Sequence, residues 1–279
     1  MIAAMAGFAV EDMLLKSAAQ TLPVSLVMII FGAGGMIGFA LIAAFRGEAL
    51  FPPAARHPAI PIRALFEVTG RLFYTLAIAF TPLSSSTTIL QAAPIVVVAG
   101  AALIFGERVG WRRWCAIVIG MLGVLIVLRP GADSFTPASL LAVLGMLGFA
   151  GRDLATRAAP SGVGTNALGV YGFAAIVVAG AGYGWGTGAP VVIPSVYASL
   201  MLVAAILFGV GAYSALTLAM RTGDVSAVTP FRYTRLVFGV LLGVLVFGER
   251  PDLYMIVGSA VVVASGLFIL ARGRKSPGP

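Results

Sequence analysis

The residues from Ala77 to Arg129 return without a gap as Ala219 to Ala271, 142 positions later. Each copy consists of an apolar run, the tetrapeptide Phe-Gly-Glu-Arg at 105–108 or 247–250, and a second apolar run. An echo at a fixed shift means that one arrangement of elements is built twice, so any fold has to accommodate both copies. The echo extends to the start of the chain, where Gly7-Phe8-Ala9 with Asp12 and Lys16 matches Gly148-Phe149-Ala150 with Asp153 and Arg157 at a shift of 141.

The repeated runs have membrane length. A helix of roughly 17–25 apolar residues crosses about 30 Å of hydrocarbon. Ten such stretches occur, near residues 2–21, 25–45, 62–81, 84–105, 111–128, 137–157, 165–184, 195–219, 226–247 and 252–271. With 60% hydrophobic and only 10% charged residues among 279, and a mean hydropathy of +1.04, the chain has more apolar surface than a soluble domain can hide. The runs are continuous rather than alternating, which predicts helices and not barrel strands. The expected fold is an all-α membrane protein of ten transmembrane helices in two five-helix repeats, 1–131 and 132–275, with a cytoplasmic tail at 276–279. Five is odd, so the second repeat enters the membrane from the opposite side. Such inverted repeats are a common plan of secondary transporters, with the substrate site near the midplane between them.

The net charge of +8 sits mostly in turns between spans. Twelve basic residues, Arg63 and Arg152 among them, fall on one side and three, Lys16, Arg129 and Arg250, on the other, which places both termini in the cytoplasm of a cell's inner membrane. No basic face with interleaved aromatics is present, so nucleic acid is not an expected partner. The single cysteine, Cys115, allows no intrachain disulfide, and the single histidine, His57, supports neither a histidine metal site nor a triad; no cofactor or metal is expected. Glu11 and Asp12 interrupt the first run where a signal peptide would stay apolar, so it is read as a retained span. No Walker motif and no nucleophile with a base at recognisable spacing is present, which argues against an ATP-driven pump and an enzyme. A membrane-embedded enzyme and a channel or helper subunit remain as alternatives to a carrier.

Charges within spans cost a few kcal/mol each unless paired or facing a wet cavity. Glu67 and Arg71 are spaced i, i+4 on the third span, and Arg232 and Arg235 flank Tyr233 on the ninth. These residues either snorkel to cytosolic headgroups or form a gate or an anchor for an anionic group such as a carboxylate. Glu11 and Asp12, with Asp153 as the counterpart of Asp12, complete the gate or charge candidates, and Glu11 or Asp12 is the protonatable group expected of a proton-coupled carrier. The hydroxyl-rich start of the fourth span, with Ser84, Thr87, Thr88 and Gln91 ahead of Pro94, offers cavity-lining hydrogen-bond partners; its match in the ninth span holds Ser226, Thr229 and Pro230. Tyr74, Tyr171, Tyr213, Thr217 and Tyr233 are the remaining cavity candidates, with an interfacial belt as the alternative place for the tyrosines. Glycine pairs at four-residue spacing, 34/38, 180/184 and 239/243, read as packing, and the run Gly182, Gly184, Gly186, Gly188 reads as a loop. The two Phe-Gly-Glu-Arg elements read as structural clasps, with each Glu at the N-terminus of the helix that follows.

Gln91-Ala92-Ala93-Pro94, Phe-Gly-Glu-Arg, the turn from Trp111 to Trp114, and Gly120-Met-Leu-Gly-Val leading to Arg129-Pro130-Gly131 resemble the EamA domain of the drug/metabolite transporter superfamily. The likeness covers both halves. It implies two inverted five-helix repeats, a central cavity lined mainly by spans 1, 3, 4, 6, 8 and 9, and export of small metabolites by alternating access. Amino acids, aromatic ones included, are the substrate class that the resemblance implies. Leu236 stands in the second half where Pro94 stands in the first, a departure from the pattern that questions strict equivalence of the two cavity walls. Oligomeric state is left open, a monomer being compatible.

Overall fold

The computed structural model describes residues 1–106, 109–129, 136–158, 162–222 and 229–273, except the side chains of residues 217, 220–222, 229, 230 and 273. Among these residues every regular element is helical: α1 (Ile2–Ala19), α2 (Val24–Arg46), α3 (Ala59–Phe80), α4 (Leu83–Leu90), α5 (Ala93–Phe105), α6 (Trp111–Leu128), α7 (Ser139–Ala158), α8 (Thr165–Thr187), α9 (Val196–Thr222), α10 (Thr234–Phe247) and α11 (Leu253–Gly273), with 3-10 turns at Pro53–Arg56 and Thr229–Tyr233. Among the described residues, seven spans are long and apolar enough to cross a bilayer: α2, α4 with α5, α6, α7, α8, α9 and α11. The helices outside that set are α1 and α3, each with three charged residues, and the short α10. Leu103, Leu207 and Leu245 point outward, 67–77% exposed, part of an apolar shell that only lipid can solvate.

Local chemistry explains where the helices stop. Gly47, Gly106, Gly188 and Gly248 adopt φ between +61 and +67 at the ends of α2, α5, α8 and α10, a left-handed C-cap that glycine takes without a Cβ clash. The fourth span breaks between Leu90 and Ala93 because Pro94 has no N–H to give the carbonyl four residues back. The ninth span breaks at the equivalent place, in the turn Thr229–Tyr233 ahead of α10, although Leu236 replaces the proline there. The glycine run at 182–188 is not a loop as expected: α8 continues to Thr187 and only Gly188 turns.

Packing follows the repeat. α1 lies against α9 and α3 against α7, two contacts that exchange under the shift of 142, while α2 lies on its own counterpart α8 and α6 on its counterpart α11. Small residues set these seams. A Cβ on Gly180 would sit 2.8 Å from Met28 and one on Gly35 2.0 Å from the Phe173 ring, so α2 and α8 run antiparallel. Gly120 facing Ser265 and Gly123 facing Gly258 give the same sense to α6 and α11. The glycine pairs 34/38, 180/184 and 239/243 all face neighbouring helices, the packing role expected of them.

Candidate functional site

The two interrupted spans meet at their breaks. The Gln91 side-chain Nε2, at the end of α4, donates to the Arg232 carbonyl at 3.0 Å, so a side chain at one break satisfies a backbone carbonyl at the other. Thr87 of α4 packs against Gly239 of α10, where a Cβ would come within 2.7 Å. Thr88 donates to the Ser84 carbonyl at 2.8 Å and lies 2.9 Å from the Ser259 hydroxyl of α11.

Beside this crossing lies a network of charge, buried except at the partly exposed Asp153 and Arg232, whose two clusters adjoin at the neighbouring residues Glu11 and Asp12. Arg235 contacts Asp12 at 2.6 Å, and the Tyr74 hydroxyl donates to the same Asp12 oxygen at 3.1 Å. Arg71 bonds Glu11 at 3.0 Å and reaches Glu67 at 3.8 Å. Glu67 also faces Arg63 and Arg152, each at 3.2 Å. Arg152 holds Asp153 at 2.7 Å, and Arg232 stands 3.7 Å from Asp153 on its other oxygen. Two repeat-related rings floor the network: Arg235 lies over Phe8 at 5.1 Å, and Arg71 and Arg152 lie over Phe149 at 5.6 and 4.9 Å. Among the described residues, five guanidinium groups face four carboxylates, an excess of one positive charge.

Hydrogen-bonding capacity remains unused within it. Glu11 Oε2, Arg235 Nε, Thr87 Oγ1 and the Tyr233 hydroxyl are buried without a hydrogen-bond partner, while Glu67 Oε2 and Arg71 Nε are held only by ion pairs, to Arg63 at 3.2 Å and to Glu67 Oε1 at 3.8 Å. Buried polar groups normally find partners, which sets these atoms apart from the rest of the interior.

All seven gate or charge candidates, Glu11, Asp12, Glu67, Arg71, Asp153, Arg232 and Arg235, thus belong to one network, with Tyr74 attached. Glu67 and Arg71 turn inward and do not snorkel. Tyr213 of α9 lies within electrostatic reach of Arg63 and Glu67 and packs edge-on against Phe39. Tyr233 is buried with its hydroxyl against Gly266 of α11. Tyr171 stands apart from the network, donating to the Leu50 carbonyl at 2.5 Å in the loop after α2. Ser226 and the side chains of Thr217, Thr229 and Pro230 lie outside the described residues.

Two members were misplaced by the sequence. The charge count puts Arg63 and Arg152 with the cytoplasmic turns, whereas in the structure both sit within helices and bind Glu67. The i, i+4 spacing of Arg63, Glu67 and Arg71 on one helical face was the available signal. Glu249 differs from expectation as well. Its carboxylate accepts from Leu83 N at 2.5 Å, Ser84 N at 3.0 Å and Ser84 Oγ at 2.6 Å, so it caps α4 of the other half rather than its own following helix. That following helix, α11, is capped by Asp252, which accepts from Met255 N at 2.9 Å. Ser84 is therefore a cap partner. Glu107 and Arg108 of the first tetrapeptide lie outside the described residues. Lys16 closes the same corner, donating to Ile78 O at 2.9 Å and Thr81 O at 2.5 Å beside a cavity of about 590 Å³.

A helical bundle with an apolar shell, two broken spans meeting at their breaks and charge buried beside them is a membrane transporter of small metabolites. Two stretches, residues 1–129 and 136–271, each match the EamA-like transporter family, and the chain belongs to that family, within the drug/metabolite transporter superfamily. It is similar to a riboflavin transporter of Rhizobium johnstonii, 30% identical over 208 residues that cover 75% of this chain and 68% of that protein. An S-adenosylmethionine uptake transporter of Rickettsia prowazekii is 26% identical over 220 residues, 77% of this chain and 72% of its own. A pseudopaline exporter of Pseudomonas aeruginosa is 26% identical over 279 residues, 96% of this chain and 93% of its own. A crystal structure with 20% identity superposes with a TM-score of 0.66 over 98% of this chain and 99% of that one, a likeness of fold.

Proposed function

We propose that the protein is a secondary-active exporter of amino acids, aromatic ones included, or of metabolites that carry an amino-acid end. It works by alternating access between two inverted five-helix repeats, 1–131 and 132–275, in the inner membrane with both termini cytoplasmic. The observation that carries this reading is the buried network with one surplus guanidinium and unmet valence of both kinds. A substrate carboxylate would neutralise the surplus and take the Arg235 Nε donor, while its ammonium group would meet Glu11 Oε2. The antiparallel pairing of repeat counterparts, α2 with α8 and α6 with α11, supports inversion. One relative carries S-adenosylmethionine, whose methionine end is an α-amino acid.

Glu11 is the group proposed to take a proton if transport is proton-coupled. Asp12 is held by both Arg235 and Tyr74, whereas Glu11 has Arg71 on one oxygen and no hydrogen-bond partner on the other. Counterflow of labelled amino acids in proteoliposomes tests the reading. Accelerated exchange of at least one substrate from a broad panel, lost in Arg71→Gln and Arg235→Gln, supports it; no exchange with any amino acid refutes the substrate class. Glu11→Gln should retain counterflow and lose its response to a pH gradient.

A further inference from the structure

The lipid-facing side of the α6–α11 pair carries a groove of about 350 Å³, lined by none of the residues of the charged network. Its origin is a packing consequence of residue size. The two helices are closest where a Cβ on Gly120 would stand 2.4 Å from Ser265 Oγ, and beyond that crossing Cys115, Ala116 and Ser265 are too small to fill the space. Trp111, Ile119 and Phe268 form the walls, so the interior is apolar.

The mouth is basic. Arg112 lines it with its guanidinium 5.4 Å from the Trp111 ring centre, and Arg272 lies over Phe268 at 5.4 Å. Arg113 follows in sequence, with Nε buried and without a hydrogen-bond partner. Neither helix contains an acidic residue, and among the described residues none of these three arginines is paired with a carboxylate. Trp111, 71% exposed, and Trp114 place this end of the pair at headgroup depth. An apolar slot that ends in unpaired guanidinium groups at the interface complements one kind of molecule, an acyl chain bearing an anionic phosphate.

We infer that the α6–α11 groove binds an acidic phospholipid, with one acyl chain between Trp111, Ile119 and Phe268 and the phosphate on Arg112 and Arg272. Small residues at 115, 116 and 265 admit the chain, and the arginines choose the headgroup. Each basic residue near an anionic lipid contributes about fivefold in affinity, so removing two should cost roughly 25-fold.

The test uses the full-length protein and the surface variant Arg112→Gln/Arg272→Gln, neither of which touches the transport network. Native mass spectrometry reads retained phosphatidylglycerol against phosphatidylcholine. Cys115, the only cysteine, reports occupancy through its rate of maleimide labelling in micelles supplied with either lipid. The expected result is selective retention of phosphatidylglycerol and slowed labelling, both lost in the variant while phosphatidylcholine binding stays unchanged. Equal retention of the two lipids, or an unaltered preference in the variant, overturns the inference. A dimer whose Cys115 is protected without added lipid overturns it too, because a second copy would then fill the groove.

Discussion

Replacing Asp12 by Asn removes a buried negative charge while keeping shape and a hydrogen-bond acceptor. Its partner Arg235 stands at 2.6 Å with a side chain 15% exposed, against 2% for Asp12. The substitution raises the excess positive charge of the network from one to two and leaves Arg235 without a counter-ion. Breaking a buried pair by removing one partner costs about 3–5 kcal/mol. The residual exposure of Arg235 and the retained Asn acceptor place this case near about 3 kcal/mol. At about 2–4 °C per kcal/mol, that is a loss of roughly 6–12 °C in Tm. Thermal unfolding in detergent, followed by tryptophan fluorescence, measures it. The double variant Asp12→Asn/Arg235→Gln removes both charges and should recover most of the loss, since contacting residues are not additive. A single variant within about 2 °C of the parent, or a double variant that falls by the sum of the two singles, would refute the argument that these charges are held as a desolvated pair.

Three further outcomes are expected. Glu249→Gln weakens a cap that joins the two halves through Leu83 and Ser84, and should lower stability in the same assay by about 0.5–2 kcal/mol. Gly148→Ala should destabilise far more than Gly186→Ala: at 148 a Cβ would meet the Gly70 backbone nitrogen at 2.4 Å, which cannot move aside, whereas at 186 nothing lies within 4 Å and alanine gains about 0.5–1 kcal/mol in helix propensity. Asp252, in the turn ahead of α11, is held below the usual carboxyl value of 3.8 by the Met255 N–H first and by Arg129 next. A depressed carboxyl stabilises the fold above its unfolded value and loses that contribution as pH falls through the folded one, so the parent's Tm should decline below about pH 3.8 more steeply than that of Asp252→Asn.

Most of the bundle was legible because lipid imposes a local rule. A span must be long, apolar and internally hydrogen-bonded, and those conditions leave marks in consecutive residues, which is why the helix positions agree with the apolar runs to within a few residues. The break at Pro94 was legible too, since proline acts on its own backbone. The matching break before α10 was not, for Leu236 has no such local effect and the 3-10 turn there belongs to the meeting of the two spans.

The candidate site divides along the same line. Glu11, Asp12, Glu67 and Arg235 stood out because a charge in an apolar run is costly wherever its partner lies. Which charges pair was decided only in three dimensions. Asp12 and Arg235 are 223 residues apart, Arg63 and Arg152 moved from supposed turns into the network, and Glu249 caps a helix 165 residues earlier. By itself the sequence determined that the chain lives in lipid, that it is built twice and that charge is buried within it, each a property of neighbouring residues or of a fixed shift. Tertiary structure decided partnership, because the energy of a buried charge depends on the groups within a few ångströms, and chain separation carries no information about those distances.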